Sequence, residues 1–271
     1  MSEIAEPPAQ PEEQKTKKHW FARQHGPELT SLDLLKCFAV PIMVIDHIGS
    51  FFFVDDMWWR AVGRVGFPIW FFLIGYARGR DLPMRLIGGA ILLVLVDGLT
   101  GYDLLPVNAL VTIILMRITL RIMDFPAARA NDMIILQIFI WSFLILFTYD
   151  LFEYGTLAFL FGLMGYFVRN NQNGPWYQLF FVYIFIAFMY VQVIVFEFAV
   201  PQAITAGIGT AAVIFILSKT KLVIFPNTGS IPVISPLFRL MGRYTLEIYI
   251  IHLTAFGFLG FWFGLQALTQ Q

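Results

Sequence analysis

The chain has 271 residues, of which 58% are hydrophobic and 17% aromatic, with 18 basic and 18 acidic side chains and a mean hydropathy of +0.73. This composition lies outside the range of soluble globular domains and indicates a polytopic membrane protein. The zero formal net charge gives no general affinity for nucleic acid, and the single cysteine, Cys37, excludes an internal disulfide and a cysteine-based metal site.

The first part of the chain has a different character from the rest. Residues 1–30 are polar, contain several prolines and become basic towards their end. We expect them to form a disordered cytoplasmic tail without a cleaved signal peptide, whose basic end contacts the headgroups of membrane lipids. Residues 31–265 are then expected to form a single transmembrane domain, followed by a short C-terminal tail, residues 266–271.

Repeated apolar runs of membrane-spanning length follow. They predict an all-α integral membrane bundle of about nine transmembrane helices, within a range of eight to ten. The predicted spans are 32–54, 61–77, 84–100, 104–120, 133–149, 154–168, 177–200, 202–217 and 238–263. Basic residues are concentrated in alternate connections, so the positive-inside rule places the N-terminus in the cytoplasm and, after an odd number of spans, the C-terminus outside.

Polar side chains inside these spans identify a candidate site, because they are costly in a membrane unless they pair or face a polar cavity. Spans one, two, four and nine carry Asp46 and His47, Arg64, Asn108, and His252. At about 1.5 Å per residue from the basic ends, one polar residue in each of these spans lies roughly 20 Å into a core of about 30 Å. Four helices thus contribute to one layer, which predicts a buried polar site that water reaches from outside.

The helical geometry also predicts partners within this layer. Asp46 and His47 are adjacent and point about 100° apart, so each needs a partner on another helix. We expect Asp46 to pair with Arg64, and His47 to face His252 or the substrate. Lys36 precedes His47 by three helical turns, on nearly the same face and about 16 Å closer to the cytoplasm. A long ligand with its anionic head at Lys36 and its reactive end at His47 would fit this stripe.

Each of these residues also has a purely structural interpretation. In that case Arg64 serves only to neutralise Asp46, Lys36 pairs with Asp33 on its own helix, and His252 donates to a backbone carbonyl. The arginines at the predicted cytoplasmic ends of the spans are required by topology in any case. A second role for a few of them is to bind a polyanion.

Four sequence blocks resemble known families of membrane proteins. In order and spacing, the first three are similar to the TraX family, which is associated with N-terminal acetylation of pilin, and the last resembles the closing motif of the acyltransferase-3 superfamily. The blocks are "LDLLKCFAVPIMVIDHIGSFFF", "RAVGRVGFPIWFFLIGYARGR", "LLPVNALVTIILMRI" and "MGRYTLEIYIIHL". Together they cover about half of the chain, and spans five to eight are similar only in hydrophobicity.

The resemblance implies an acyltransferase of the bacterial inner membrane that uses acetyl-CoA, or another acyl-CoA, from the cytoplasm as donor. The catalytic residues are then expected to be His47 as general base, together with Asp46, Arg64, Asn108 and His252. Either Arg64 or Asn108 would stabilise the oxyanion, and no metal is required. The expected coenzyme A contacts are Lys36, Arg78, Arg117, Arg121 and Arg243.

The acceptor and two competing functions stay open at this point. A pilin-type amine, a glycan hydroxyl and a lipid-linked sugar are all compatible acceptors. A proton-coupled transporter or flippase would use the same buried layer to bind a proton or an anion, and a noncatalytic assembly subunit would need it only for its structure. The chain lacks the CxxC, Walker, GxGxxG and HExxH motifs, so redox, ATP-driven and zinc-protease functions have no support.

Overall fold

The computed structural model describes residues 28–122, 140, 142–144, 147–148, 150–172, 174–228 and 234–265. These residues form helices and one two-stranded sheet, which confirms the predicted all-α class. The N-terminal tail up to residue 27, most of the predicted fifth span and the C-terminal tail lie outside the described residues.

The described helices follow one another with short connections. They are α1 (Ser31–Phe52), α2 (Met57–Gly63), α3 (Phe67–Tyr76), α4 (Met84–Thr100), α5 (Ala109–Ile122), α6 (Leu157–Arg169), α7 (Pro175–Tyr190), α8 (Val200–Ser218), α9 (Ile234–Arg243) and α10 (Thr245–Phe263). A 3-10 turn, Arg64–Gly66, joins α2 to α3, and a π-helical turn, Val191–Val195, continues α7. Strands β1 (Leu29–Thr30) and β2 (Ile224–Phe225) pair antiparallel.

Four of the described helices are long and apolar enough to cross a membrane, which supports a membrane protein. They are α1, α7 with its π-helical turn, α8 and α10. Helix α6 is apolar but shorter. The count of about nine spans stays a prediction, because most of the fifth span lies outside the described residues and α4 and α5 contain only 17 and 14 residues.

Two predicted spans differ from the structure in their form. The single helix predicted for 238–263 is wrong: the backbone leaves the helical conformation at Tyr244 (φ −110°, ψ 26°), which separates α9 from α10. The helix of the predicted span 104–120 begins only at Ala109. Asn108 precedes it and accepts a hydrogen bond from the Leu110 N–H at 3.1 Å, as residues at helix N-termini commonly do.

The start of α1 is tied to the C-terminal part of the chain. Thr30 and Asp33 form a capping box in which each side chain accepts from the other residue's backbone N–H, at 3.0 and 3.1 Å. Lys36 then donates to the Gly242 carbonyl at 2.9 Å, and Cys37 donates to the Phe238 carbonyl at 3.1 Å. These contacts hold α9 against the first turns of α1.

Glycines allow the closest helix crossings in the bundle. A Cβ on Gly75 of α3 would lie 1.7 Å from the carbonyl oxygen of Gly162 in α6, and a Cβ on Gly165 would lie 2.1 Å from that of Phe72. On the other side of the α2–α3 segment, a Cβ on Gly63 would lie 2.4 Å from the Cα of Asp46. Small residues at these positions let the helix backbones approach closely, as is typical of membrane bundles.

Replacing Gly75 with alanine is expected to lower the free energy of unfolding by about 1–3 kcal/mol, because the added methyl group forces α3 and α6 apart. Gly88→Ala is the matched control, since a Cβ on Gly88 would meet nothing within 4 Å. Thermal unfolding of both variants in detergent measures the difference. Equal melting temperatures for the two variants would contradict the tight crossing of α3 and α6.

Candidate active site

Two histidines from α1 and α10 are in direct contact. His47 Nδ1 lies 2.7 Å from His252 Nε2, and the two rings are stacked with their centroids 4.9 Å apart. His252 Nδ1 in turn lies 2.6 Å from the Ile248 carbonyl oxygen, one turn earlier on α10. The expected meeting of His47 and His252 is therefore confirmed, and His252 also has the backbone contact of the structural alternative.

This chain of contacts determines the tautomer of a neutral histidine pair. The Ile248 carbonyl can only accept, so His252 carries its proton on Nδ1 and its Nε2 is an acceptor. His47 must then donate from Nδ1 to His252 Nε2. The Nε2 atom of His47 is left with its lone pair, which is the state that a general base requires.

A cavity of ≈ 540 Å³ contains His47 in its wall. Its lining extends from Lys36 in the second turn of α1 to His47 near the other end of the same helix. Apolar side chains of α3, α4, α5 and α10 form the remaining walls, and Tyr249 meets the His47 ring edge-on at 5.7 Å. Because His47 is only 5% exposed, a ligand in this cavity has the direct route to its ring.

The other side of the histidine pair is packed with aromatic rings. Phe256 lies edge-on to His252 at 5.5 Å, and Phe51 and Phe52 contact Phe256 at 5.9 and 5.1 Å. The sequence predicted access from outside, whereas the cavity described here leads from His47 to Lys36.

Four cationic side chains lie together at the cavity end marked by Lys36, which we call the basic end. They are Lys36, Arg85, Arg117 and Arg243. Arg117 donates to the Asp81 carbonyl at 2.6 Å and Arg85 pairs with Glu247 at 3.2 Å, so these groups are held in place around the opening. Three of them were predicted contacts of an anionic ligand, and Arg85 was not.

The other two predicted ligand contacts lie elsewhere. Arg78 and Arg121 are exposed, in the loop after α3 and in the last turn of α5, and neither lines the cavity. Nearby, Arg80 donates to the carbonyls of Ile74, Ala77 and Gly75 at 2.9, 2.7 and 3.2 Å and so closes the C-terminus of α3. Burial, with repulsion from Arg169 and Arg117, lowers the pKa of Arg80, which reflects the dense positive charge here.

Asp46 belongs to a buried ionic cluster with two arginines. Arg60 Nη1 donates to Asp46 Oδ2 at 2.9 Å and to the Asp46 carbonyl at 3.1 Å, whereas Arg64 Nε lies 3.7 Å from Oδ1. The predicted pairing with Arg64 is thus the longer of two ionic contacts. Arg60 was missed, although it lies one turn before Arg64 on the same side of the chain, at the i, i+4 spacing that brings side chains together.

This cluster and Asn108 lie outside the cavity lining. The Arg64 guanidinium stacks on Phe196 at 4.1 Å and on Tyr154 at 5.0 Å from the ring centroids. Asn108 donates to the Ala90 carbonyl at 3.1 Å. Both side chains would have to leave these contacts to reach a thioester beside His47, so their oxyanion role stays a prediction.

Glu153 is a buried acid that the sequence analysis treated only as part of an acidic loop. Its Oε2 accepts from the Ala109 N–H at 2.9 Å and from the Tyr249 hydroxyl at 3.4 Å. Glu153 therefore connects the start of α5 to the tyrosine beside His47. No signal in the sequence separated it from the neighbouring loop acids, because the contact joins three distant segments. Within the described residues, no group of three histidine, cysteine or acidic side chains could hold a metal ion.

Comparisons with known proteins point to one family. The sequence model described as TraX protein matches residues 31–260. An uncharacterized protein of Rickettsia prowazekii (strain Madrid E) is 27% identical over 149 residues, which cover 52% of this chain and 57% of that protein. No solved structure matches this chain significantly. The matched family region includes every side chain of the histidine pair, the basic end and the ionic cluster, whereas the similarity to acyltransferase-3 proteins stays a prediction.

Proposed function

The chain belongs to the TraX family, and from this membership together with the cavity we propose that it is an integral-membrane acyltransferase. It would move an acetyl or other acyl group from cytoplasmic acyl-CoA to an amine or hydroxyl acceptor at or across the bacterial inner membrane. The observation that carries the proposal is one cavity that joins four cationic groups to a histidine whose Nε2 is unprotonated in the neutral pair.

The shape and charge of the cavity suit an acyl-CoA donor. Phosphate groups would bind at the basic end, where arginine and lysine side chains surround the opening. The extended thioester arm would run along the apolar walls, over the three turns of α1 that separate Lys36 from His47, about 16 Å. This orientation places the basic end on the cytoplasmic side, in agreement with the positive-inside rule.

The chemistry that follows uses His47 as general base. His47 Nε2 takes the proton of the acceptor N–H or O–H group as the acceptor attacks the thioester carbonyl. The acyl–sulfur bond then breaks, the acyl–nitrogen or acyl–oxygen bond forms, and the proton passes to the leaving coenzyme A thiolate. His252 holds the Nδ1 proton of His47 and stabilises the imidazolium that forms transiently, as an orienting group does for a histidine base.

Donor binding tests this proposal directly. For purified protein in nanodiscs, we expect acetyl-CoA to raise the melting temperature and free coenzyme A to be released. Lys36→Gln and Arg117→Gln should each raise the KM for acetyl-CoA about tenfold, since hydrogen bonds to charged groups are worth about 1.5–3 kcal/mol and 1.4 kcal/mol is a factor of ten.

Arg239→Gln is the matched control, because Arg239 is on the neighbouring α9 but outside the cavity lining. If acetyl-CoA neither stabilises the wild-type protein nor is cleaved, the acyltransferase proposal fails. The transporter, flippase and assembly-subunit alternatives would then be preferred. A KM that rises equally in all three variants would contradict the assignment of the basic end as the donor site.

A further inference from the structure

The cavity beside His47 ends in a compact group of aromatic side chains. Phe67, Phe71 and Tyr154 all line the cavity. The Tyr154 ring centroid lies 4.6 Å from that of Phe67 and 5.5 Å from that of Phe71, and the two phenylalanines are 5.1 Å apart. We call these three residues the aromatic wall.

The backbone of Tyr154 is held in an unusual conformation. Its φ is +69°, in the left-handed region that large L-residues rarely adopt. The segment before it is pinned on both sides of Val107, which donates to the Leu151 carbonyl at 3.0 Å and accepts from the Glu153 N–H at 2.9 Å. Such a conformation persists only where the surroundings determine it, and these residues are enriched at functional sites. The chain thus keeps the Tyr154 ring at the cavity at a conformational cost.

There is no space for the wall to yield backwards. Behind Tyr154 lies the Arg64 guanidinium, 5.0 Å from the ring centroid and part of the ionic cluster with Asp46. Behind Phe67 lie Phe161 and Phe188, with ring centroids at 5.3 and 6.0 Å, and both are fully buried. A close-packed interior of this kind does not open to accept an additional methylene group without strain.

We propose that the aromatic wall limits the length of the transferred acyl group, so that the protein selects short acyl donors; this inference rests on the proposed acyltransferase function. With the donor phosphates at the basic end and the thioester carbonyl at His47, the acyl group is the part of the donor that lies beyond the sulfur. The aromatic wall occupies the space next to His47 in the same cavity. An acetyl group is then accommodated, and each added methylene meets a ring that cannot move.

The selectivity between acetyl-CoA and butyryl-CoA tests this inference. The wild-type protein should cleave acetyl-CoA with the higher kcat/KM, since one methylene in an apolar pocket changes this ratio about 10- to 200-fold. Phe71→Val and Tyr154→Ala shorten the wall at two independent positions. In each variant the ratio of kcat/KM for butyryl-CoA to that for acetyl-CoA should rise tenfold or more. Butyryl-CoA should also raise the melting temperature of each variant more than that of the wild type.

Phe180→Val is the matched control, because Phe180 is a fully buried phenylalanine of the same core that does not line the cavity. Its ratio should equal that of the wild type. A protein that cleaves acetyl-CoA but has the same ratio in all variants overturns the aromatic wall as a selectivity element and leaves the proposed function standing. Absence of cleavage and of binding for both donors overturns the proposed function and the inference together.

Discussion

Replacing His47 with alanine is expected to lower the rate of acyl transfer by 10²- to 10⁴-fold, the usual contribution of a positioned general base. Its Nε2 is the lone pair that the hydrogen-bond chain from Ile248 through His252 leaves available in the cavity. The measurement is the release of free coenzyme A from acetyl-CoA by the protein in nanodiscs. The KM for acetyl-CoA should change little, because the basic end that would hold the donor is three helical turns away.

His252→Gln refines this experiment, since His252 would act through His47. The loss should be smaller than for His47→Ala, about 10- to 100-fold, because the base remains but its Nδ1 proton is no longer held by an imidazole. Both variants should retain the melting temperature of the wild type within a few degrees, which shows that they insert and fold. Full activity of His47→Ala would exclude His47 as the base. Equal activity of wild type and His252→Gln would assign His252 a structural role only.

Replacing Asp46 with alanine is expected to lower the free energy of unfolding by about 3–5 kcal/mol, the range measured when one partner of a buried ion pair is removed. Asp46 accepts two contacts from Arg60 through its carboxylate and its carbonyl and has Arg64 at 3.7 Å. The side chains of Asp46 and Arg64 are 5% exposed and that of Arg60 is 13% exposed. Without the carboxylate, two guanidinium groups would lie in the bundle without their buried counter-charge.

A double-mutant cycle identifies the origin of this loss. Adding Arg60→Met to Asp46→Ala should recover part of the stability, because it removes the charge that the first substitution strands. Glu247→Gln is the control: its partner Arg85 forms an exposed ion pair, with side chains 37% and 53% accessible, and such pairs are worth about 0–1 kcal/mol. Denaturant unfolding in detergent gives all four values. If Asp46→Ala is as stable as the wild type but inactive, Asp46 acts in catalysis and not in the structure of the layer.

Much of the candidate site was predictable because depth along a helix can be counted from the sequence. The position of His47 in α1 and that of His252 in the last span placed both in one layer, and the structure brings them within 2.7 Å. The stripe from Lys36 to His47 likewise follows from three turns of a helix, and both residues line the same cavity. In each case the relevant distance runs along one helix or compares the depths of two helices.

Other features were not predictable by such counting. The closer partner of Asp46 is Arg60 and not Arg64, Asn108 bonds to a backbone carbonyl, and the last span is divided at Tyr244. Glu153 reaches the histidine layer through a loop that returns to the start of α5. All of these depend on the rotation of a helix about its axis or on contacts between segments far apart in the chain.

The amino-acid sequence by itself determined that this is an apolar, helical, membrane-type protein with its buried polar groups at a common depth. These properties follow from the cost of placing polar groups in lipid, which acts on each segment separately. Only the tertiary structure decided which polar groups touch, which of them line a cavity and where that cavity ends. The reason is that close packing of glycines, aromatic rings and buried charges is a property of several segments together, and no single segment contains it.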